Sequence, residues 1–323
     1  MHLLDLAQGG IILLQMALGC LGNLAILAFY VYVWATDHTL KPVESIVSHL
    51  AFANLTSLML RGVPHVTTLF GAKKVLTSTG CKSVIYLYRV TRALSVTTTC
   101  ILSVFQSVTI APITSLWGKF KLRLPSYLIP SFAISWLVNF LSYVVVPLNT
   151  VAPENNTIPV NAVNLGFCYT LRVSRFSSAE DVLSQMYFFG IDVIPVVIMI
   201  LASGHIVLTL RIHQQRVRYV QTSRKNQTMG AEAQAAKTII QLVALYVFFY
   251  GVDMAIMAYT NIIRKQSLIL SDIRVIFSYC FPSLSPFVMI RFNRRISHML
   301  ASGKMKKAHL SEKHPSAISN FGM

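Results

Sequence analysis

Long apolar stretches alternate with short polar segments along the whole chain. The apolar stretches occupy about residues 8–34, 45–70, 82–112, 126–147, 183–210, 236–261 and 269–290. A helix needs roughly 20 mostly apolar residues to cross a bilayer, so most of these stretches are long enough to span one with some tilt. The pattern therefore predicts an all-α protein, a seven-transmembrane helix bundle.

Composition supports a membrane protein and argues against a soluble enzyme. Hydrophobic residues make up 54% of the 323 residues and charged residues 12%, with a mean hydropathy of +0.59. A soluble globular protein carries roughly 25% charged residues. The formal net charge of +17 could suggest nucleic acid, but basic residues on a membrane protein usually set its orientation. We therefore expect membrane lipid and no nucleic acid as a partner.

Lys and Arg are concentrated in alternate connecting segments. Residues 35–44, 113–125, 211–237 and 291–323 together contain 17 Lys and Arg residues, against seven in or beside the segments on the other side. Cytoplasmic loops carry the excess of Lys and Arg, so this bias predicts an extracellular N-terminus and a cytoplasmic C-terminus.

The residues after the seventh stretch predict a short amphipathic helix. Phe292, Ile296 and Met299 recur at helical spacing opposite a basic face, a pattern that favours a helix lying along the inner leaflet. We delimit a seven-transmembrane domain at residues 1–296 and a polar cytoplasmic tail at 297–323, which we expect to be disordered.

Two features of the predicted extracellular side depend on this orientation. Asn155 begins an Asn-Asn-Thr glycosylation sequon in the longest extracellular loop. Cys81, at the outer start of the third span, and Cys168, in the same loop, both lie in the oxidising compartment. The sequence favours a disulfide between these cysteines, with two free thiols as the alternative.

Several ionisable residues lie inside the predicted spans, where each costs free energy unless it is paired or faces water. Arg89 and Arg92 are spaced to share one face of the third span, and Tyr88 lies beside them. One hypothesis is a water-filled outer cavity between the third, fifth and sixth spans, in which an arginine meets a ligand anion. The alternative is that the charges only pair with one another and fix the helix packing. The ligand-binding candidates are Arg61, Tyr88, Arg89, Arg92, Asp192 and Asp253, with Arg274 placed at the mouth of the seventh span.

Catalytic and metal-binding patterns are missing from the sequence. No His-Glu-x-x-His, Walker loop or Gly-x-Ser-x-Gly motif occurs, and His49, His65 and His205 lack a second ligand at helical spacing. We expect no enzyme activity, no metal site and no cofactor.

Several motifs in the spans are distinctive. They are residues 40–42 (LKP) and 61–64 (RGVP) around the second span, 88–95 (YRVTRALS) and 98–112 (TTCILSVFQSVTIAP) in the third, and 281–288 (FPSLSPFV) in the seventh. Over about residues 8–296, the sequence resembles the vomeronasal type-1 receptors, a family of G protein-coupled receptors that includes the fish olfactory receptors class A-like.

The same motifs depart from the pattern of ordinary rhodopsin-like receptors. Asn54 stands in place of the usual sodium-binding aspartate, and residues 105–107 (FQS) replace the Asp-Arg-Tyr triplet. Ser285 and Pro286 stand where Asn-Pro-x-x-Tyr begins. These departures put the sodium site and the inner ionic lock in doubt, so activation must rely on other contacts.

The resemblance implies a multi-pass plasma-membrane receptor that detects pheromones or small odorants and signals through a heterotrimeric G protein of the Gi/Go class. Arginines outnumber aspartates inside the spans, so we expect an anionic small-molecule agonist. The inner ends of the third, fifth and sixth spans would open a groove for the G protein. The candidates for facing it are Gln106, Pro112, Arg216, Arg218 and Lys237.

Other functions remain as alternatives. A bitter-taste receptor has a similar length, but Cys81, Cys168 and the third-span motif speak against it. A seven-span transporter would use the intramembrane charges as a relay and would work without a G protein. A purely structural membrane protein leaves the buried arginines unexplained.

Overall fold

The computed structural model describes residues 3–72, 75–112, 116–152, 162–171, 178–220, 229–263 and 268–292. Within these ranges, seven helical stretches are long and apolar enough to cross a membrane, in agreement with the predicted all-α bundle. The helices are α1 Leu3–Asp37, α2 Pro42–Leu69, α3 Ser78–Ile110, the short α4 Leu116–Phe120, α5 Leu128–Ser142, α6 Ser178–Val220, α7 Met229–Ile263 and α8 Leu268–Phe292.

The first three spans are α1 to α3, and the fifth to seventh are α6 to α8. The fourth span is α5 together with the 3-10 turns Leu124–Tyr127 and Val146–Asn149 that flank it. Residues from 293 onward lie outside the described residues, so the amphipathic helix and the disordered tail remain predictions.

Local chemistry sets the starts of α2 and α3. Pro42 occupies the first turn of α2, where its missing N–H costs nothing, and the Lys41 backbone N–H donates to the Glu44 carboxylate at 2.9 Å. This cap begins the helix slightly earlier than the apolar pattern predicts. The Thr77 hydroxyl accepts from the Gly80 backbone N–H at 3.2 Å and caps α3.

Helix α3 lies at the centre of the bundle and packs against α2, α5, α6 and α7. Helix α1 packs between α2 and α8 on the opposite side. The largest buried cluster joins apolar side chains of these helices; it includes Ile26, Leu50, Leu102, Met199, Leu242 and Phe281.

A small antiparallel sheet covers the end of the bundle at which α3 begins. The strands β1 Thr150–Val151, β2 Ala162–Asn164 and β3 Tyr169–Leu171 pair in the order β1-β3-β2, with Thr150 opposite Thr170. A disulfide joins Cys81 of α3 to Cys168 just before β3, which confirms the predicted bridge. The sheet itself was not predicted, because strands of two or three residues leave no alternation to detect. We call this end of the bundle the disulfide end.

Small residues and one asparagine permit close contact between α1 and α8. A Cβ added at Gly22 would lie 2.7 Å from Cγ of Pro286. Pro286 has no N–H for the carbonyl of Pro282, one turn earlier, and the Asn23 side-chain amide donates to that oxygen at 2.9 Å. The buried Asn23 therefore supplies the hydrogen bond that the proline removes.

Replacing Gly22 by Ala is expected to destabilise the bundle, because the new methyl group overlaps Pro286. Overpacking costs roughly 1–3 kcal/mol, whereas Ala in place of Gly favours a helix by about 1 kcal/mol. Thermal unfolding of the detergent-solubilised protein should show a lower melting temperature for Gly22→Ala. Gly10→Ala is the matched control in the same helix, because a Cβ there meets nothing within 4 Å. Equal melting temperatures for the two variants would disprove the close contact.

Candidate functional site

Three spans meet at the carboxylate of Asp253 on α7. Arg92 of α3 donates to it through Nη2 at 2.6 Å, and Arg274 of α8 donates through Nε at 2.7 Å. The Asp253 side chain is only 3% exposed. We call these three residues the Asp253 clamp. One carboxylate pairs with two guanidinium groups, so the clamp keeps a net positive charge.

The sequence placed Arg274 at the mouth of the seventh span and did not predict its pairing with Asp253. Helix α8 begins at Leu268, so Arg274 lies inside the helix, and its side chain reaches the carboxylate of Asp253. An arginine more than one turn inside an apolar helix was the signal for this role, because a membrane does not accommodate such a charge without a partner.

Arg89 lies one turn closer to the disulfide end than Arg92, on the same face of α3. It is partly buried, and both Arg92 and Arg274 act on it electrostatically as like charges. Among the described residues, no side chain forms an ion pair or hydrogen bond with Arg89. Arg89 therefore adds a positive charge to the net positive clamp.

The other two charged candidates contact tyrosines. Asp192 of α6 accepts a hydrogen bond from the Tyr143 hydroxyl at 3.1 Å. Arg61 of α2 donates through Nη1 to the Tyr88 hydroxyl at 2.6 Å. The predicted arginine–aspartate pairing thus occurs at Arg92 and Asp253, and the remaining candidates are arranged around it.

A cavity lies against the clamp on the side facing the middle of the bundle. Residues of α2, α3, α7 and α8 line it, among them Ser57, Arg92, Ser95, Tyr250, Asp253 and Ser278. The expected lining by the fifth span is not found in this cavity, which residues of α2 and α8 line together with those of α3 and α7.

Asn54 connects three helices through neutral hydrogen bonds. Its side-chain nitrogen donates to the Ser285 hydroxyl at 3.0 Å, and its oxygen accepts from the Ser95 hydroxyl at 2.6 Å. Asn54 and Ser285 are fully buried, and Ser95 is 5% exposed. The sequence put the sodium site at this position in doubt. In the structure, the Asn54 side-chain amide links α2 to α3 and α8 at this position.

Two histidines that lack a second metal ligand in the sequence form contacts between helices. Trp136 donates through Nε1 to Nε2 of His49 at 2.9 Å, and Nδ1 of the same ring lies 2.9 Å from the Thr98 hydroxyl. Nδ1 of His205 on α6 lies 2.8 Å from the Ser107 hydroxyl on α3. No group of metal-ligating side chains forms within the described ranges.

The end opposite the disulfide carries the candidates for a G protein. Gln106 is buried, at 6% exposure, whereas Pro112 and Lys237 are exposed. Helix α6 continues to Val220, so Arg216 and Arg218 lie on its extension, although their side chains are outside the described residues. Asn155 also lies outside the described residues. These roles and the glycosylation remain predictions.

Comparison with known proteins decides the family. The profile described as the vomeronasal organ pheromone receptor family matches residues 7–302. The chain is a member of the vomeronasal type-1 receptor family. It is 39% identical over 306 residues to olfactory receptor class A-like protein 1 of Danio rerio, covering 94% of this chain and 95% of the relative. It is 32% identical over 295 residues to vomeronasal type-1 receptor 1 of Homo sapiens, covering 91% and 82%.

The fold of this vomeronasal type-1 family member is shared with a solved receptor structure. Squid rhodopsin aligns with a TM-score of 0.70 at 16% identity, covering 92% of this chain and 80% of that one. The receptor is accordingly a G protein-coupled receptor by family, a multi-pass protein of the plasma membrane. Its family is one of receptors and not of enzymes, which confirms that prediction.

The receptor's Asp253 clamp predicts non-additive effects of its two arginines. Arg92→Met or Arg274→Met alone leaves Asp253 one ion pair, whereas the double variant leaves a buried carboxylate without a cation. Loss of the last partner costs roughly 3–5 kcal/mol, so the fall in melting temperature of the double variant should exceed the sum of the single falls. Thermal unfolding of the four proteins in one detergent measures this coupling. Additive falls would show that the arginines act independently.

Proposed function

We propose that this receptor detects small molecules bearing an acidic group, as pheromones or odorants, and signals through a heterotrimeric G protein of the Gi/Go class. The observation that carries the proposal is Arg89, a partly buried cation beside the net positive clamp, for which the described residues provide no counter-ion. The words "pheromone receptor" in the family description and "olfactory receptor" in the name of the Danio rerio relative support a chemosensory role.

The balance of charge favours an anionic ligand over an amine. Arg92 and Arg274 pair with Asp253, and Arg89 lies beside them as a third guanidinium. The carboxylates that act on Arg92 are those of Asp253 and Asp192, so three arginines stand against two aspartates. A guanidinium binds a carboxylate through two parallel, charge-assisted hydrogen bonds, which are stronger than neutral ones. An ammonium ion would meet three like charges at the same place. Arg89 is therefore the proposed anchor for the acidic group, with Arg92 and Asp253 beneath it and Asp192 to one side.

The clamp also suggests how binding changes the arrangement of the helices. An agonist carboxylate that is anchored at Arg89 and also reaches Arg92 or Arg274 competes with Asp253 for these guanidinium groups. Binding then favours an arrangement in which α7 is released from α3 and α8. The agonist shifts the population only by its difference in affinity for the two arrangements. Release of α7 would open the opposite end, where the G protein binds.

The proposed G protein surface lies where α3 and α6 end and α7 begins. Lys237 and Pro112 are exposed there, and the extension of α6 carries Arg216 and Arg218. Gln106 is buried in this arrangement, so it would reach the partner only after the helices separate. The Ser107–His205 hydrogen bond joins α3 to α6 near the same place and would have to break during that separation.

The ligand class is tested in transfected cells with matched panels of small carboxylic acids and the corresponding amines. We expect acids to activate Gi/Go signalling and amines to fail. Arg89→Ala should raise the half-maximal concentration of an active acid about 10- to 100-fold, the range set by losing a hydrogen bond to a charged group. Arg89→Lys should recover part of this loss, because the charge is kept and the paired geometry is not.

Lys82→Ala is the matched control, since Lys82 is a cation of the same helix near its start. Surface expression of every variant is measured alongside signalling. Activation by amines but not by matched acids would overturn the ligand class. An acid response unchanged in Arg89→Ala would assign Arg89 to packing.

A second prediction concerns signalling without agonist. Asp253→Asn removes the negative charge that holds Arg92 and Arg274, so we expect basal G protein signalling to rise several-fold at equal surface expression. Asp37→Asn, an exposed change at the end of α1, is the control for loss of one acidic residue. Unchanged basal signalling in Asp253→Asn would mean that the clamp does not restrain the inactive arrangement.

A further inference from the structure

A second cationic cluster lies between α2, α3 and α8 near the disulfide end. It consists of Arg61, His65, Tyr88 and Tyr279, and we call it the Arg61 cluster. The Arg61 guanidinium carbon lies 5.0 Å from the ring centroid of Tyr88 and 5.7 Å from that of Tyr279. One of its N–H groups donates to the Tyr88 hydroxyl at 2.6 Å. Arg61 is thus held between two aromatic rings.

The charge of Arg61 is not neutralised by these contacts. Among the described residues, no carboxylate lies within ion-pair distance of Arg61. Within the same ranges, Arg61 forms one hydrogen bond, which it donates to the Tyr88 hydroxyl. Cation–π contacts contribute about 0.5–2 kcal/mol each, whereas an unpaired charge inside a membrane protein is costly and calls for a partner. The cluster therefore has a surplus of positive charge and of hydrogen-bond donors.

Two buried polar atoms of the cluster support the presence of a bound acceptor. The Tyr279 hydroxyl and Nδ1 of His65 have no hydrogen-bond partner among the described residues. Tyr279 is 2% exposed and His65 is 4% exposed. His65 lies one turn from Arg61 on the same face of α2. Each of these groups can donate, and buried polar groups without a partner indicate a bound water or ion.

The segment 165–168, which joins β2 to β3, covers this cluster. Gly166 has φ +92°, and a Cβ there would lie 2.6 Å from Cδ2 of His65. The ring of Phe167 lies 6.5 Å from that of His65, and the disulfide holds the next residue, Cys168, to α3. Such a cover favours a small resident ion over an agonist that must enter and leave.

We propose that the Arg61 cluster binds a chloride ion, held by Arg61 and by the hydroxyl of Tyr279, with His65 facing it. The ion neutralises Arg61 and joins α2 to α8 beneath the segment 165–168. This site is distinct from the agonist site proposed at Arg89, and it does not depend on the identity of the agonist.

The test is thermal unfolding of the purified, agonist-free receptor in sodium chloride and in sodium gluconate of equal ionic strength. We expect the melting temperature to rise with the logarithm of the chloride concentration above the dissociation constant, by about 3 °C at ten times that constant. Sodium bromide should raise the melting temperature as sodium chloride does. Equal melting temperatures in chloride and gluconate at every concentration would overturn the proposal.

Variants locate the ion. Arg61→Gln should abolish the difference between the two salts, and Tyr279→Phe, which removes only the hydroxyl, should shift the chloride dependence to higher concentration. Tyr279→Phe keeps the test decisive if Arg61→Gln does not fold. Arg123→Gln, an exposed arginine outside the spans, should keep the full chloride effect. A chloride effect that survives both cluster variants, or that is lost in Arg89→Gln instead, would place the ion elsewhere and refute this assignment.

Discussion

The carboxylate of Asp253 is the point on which the arrangement of α3, α7 and α8 depends. In the low dielectric of a bundle core, a buried charge must have a counter-charge, and here two arginines from two different helices provide it. One carboxylate therefore links three spans. The net positive charge of the Asp253 clamp also sets the electrostatic character of the proposed ligand site around Arg89.

Hydrogen bonds between uncharged groups form other polar connections between the spans. Asn54 joins α2, α3 and α8, His49 joins α2, α3 and α5, and Asn23 satisfies the carbonyl that Pro286 leaves without a donor. Polar side chains are costly in lipid unless they are satisfied within the protein. These residues therefore connect particular helices, whereas the apolar side chains around them pack with little directional preference.

Much of the architecture was predictable because the bilayer restricts the possible structures. The lengths of the apolar stretches predicted seven spans, and the compartment of Cys81 and Cys168 predicted the disulfide, which the structure contains. The motif around Arg89 and Arg92 indicated the receptor family that the comparison then showed. The pairing of Arg274 with Asp253 was not predicted, because helical periodicity tells which residues share a face of one helix and not which helix that face meets.

The sequence by itself determined the number of spans, the class of fold and the family, since these follow from apolar length and from local motifs within single helices. Only the tertiary structure decided which charges pair. Asp253 is 161 residues from Arg92 and 21 from Arg274 along the chain. Such contacts depend on how the helices rotate and pack, so Arg89 and Arg61 could be distinguished from Arg92 only once the bundle had formed.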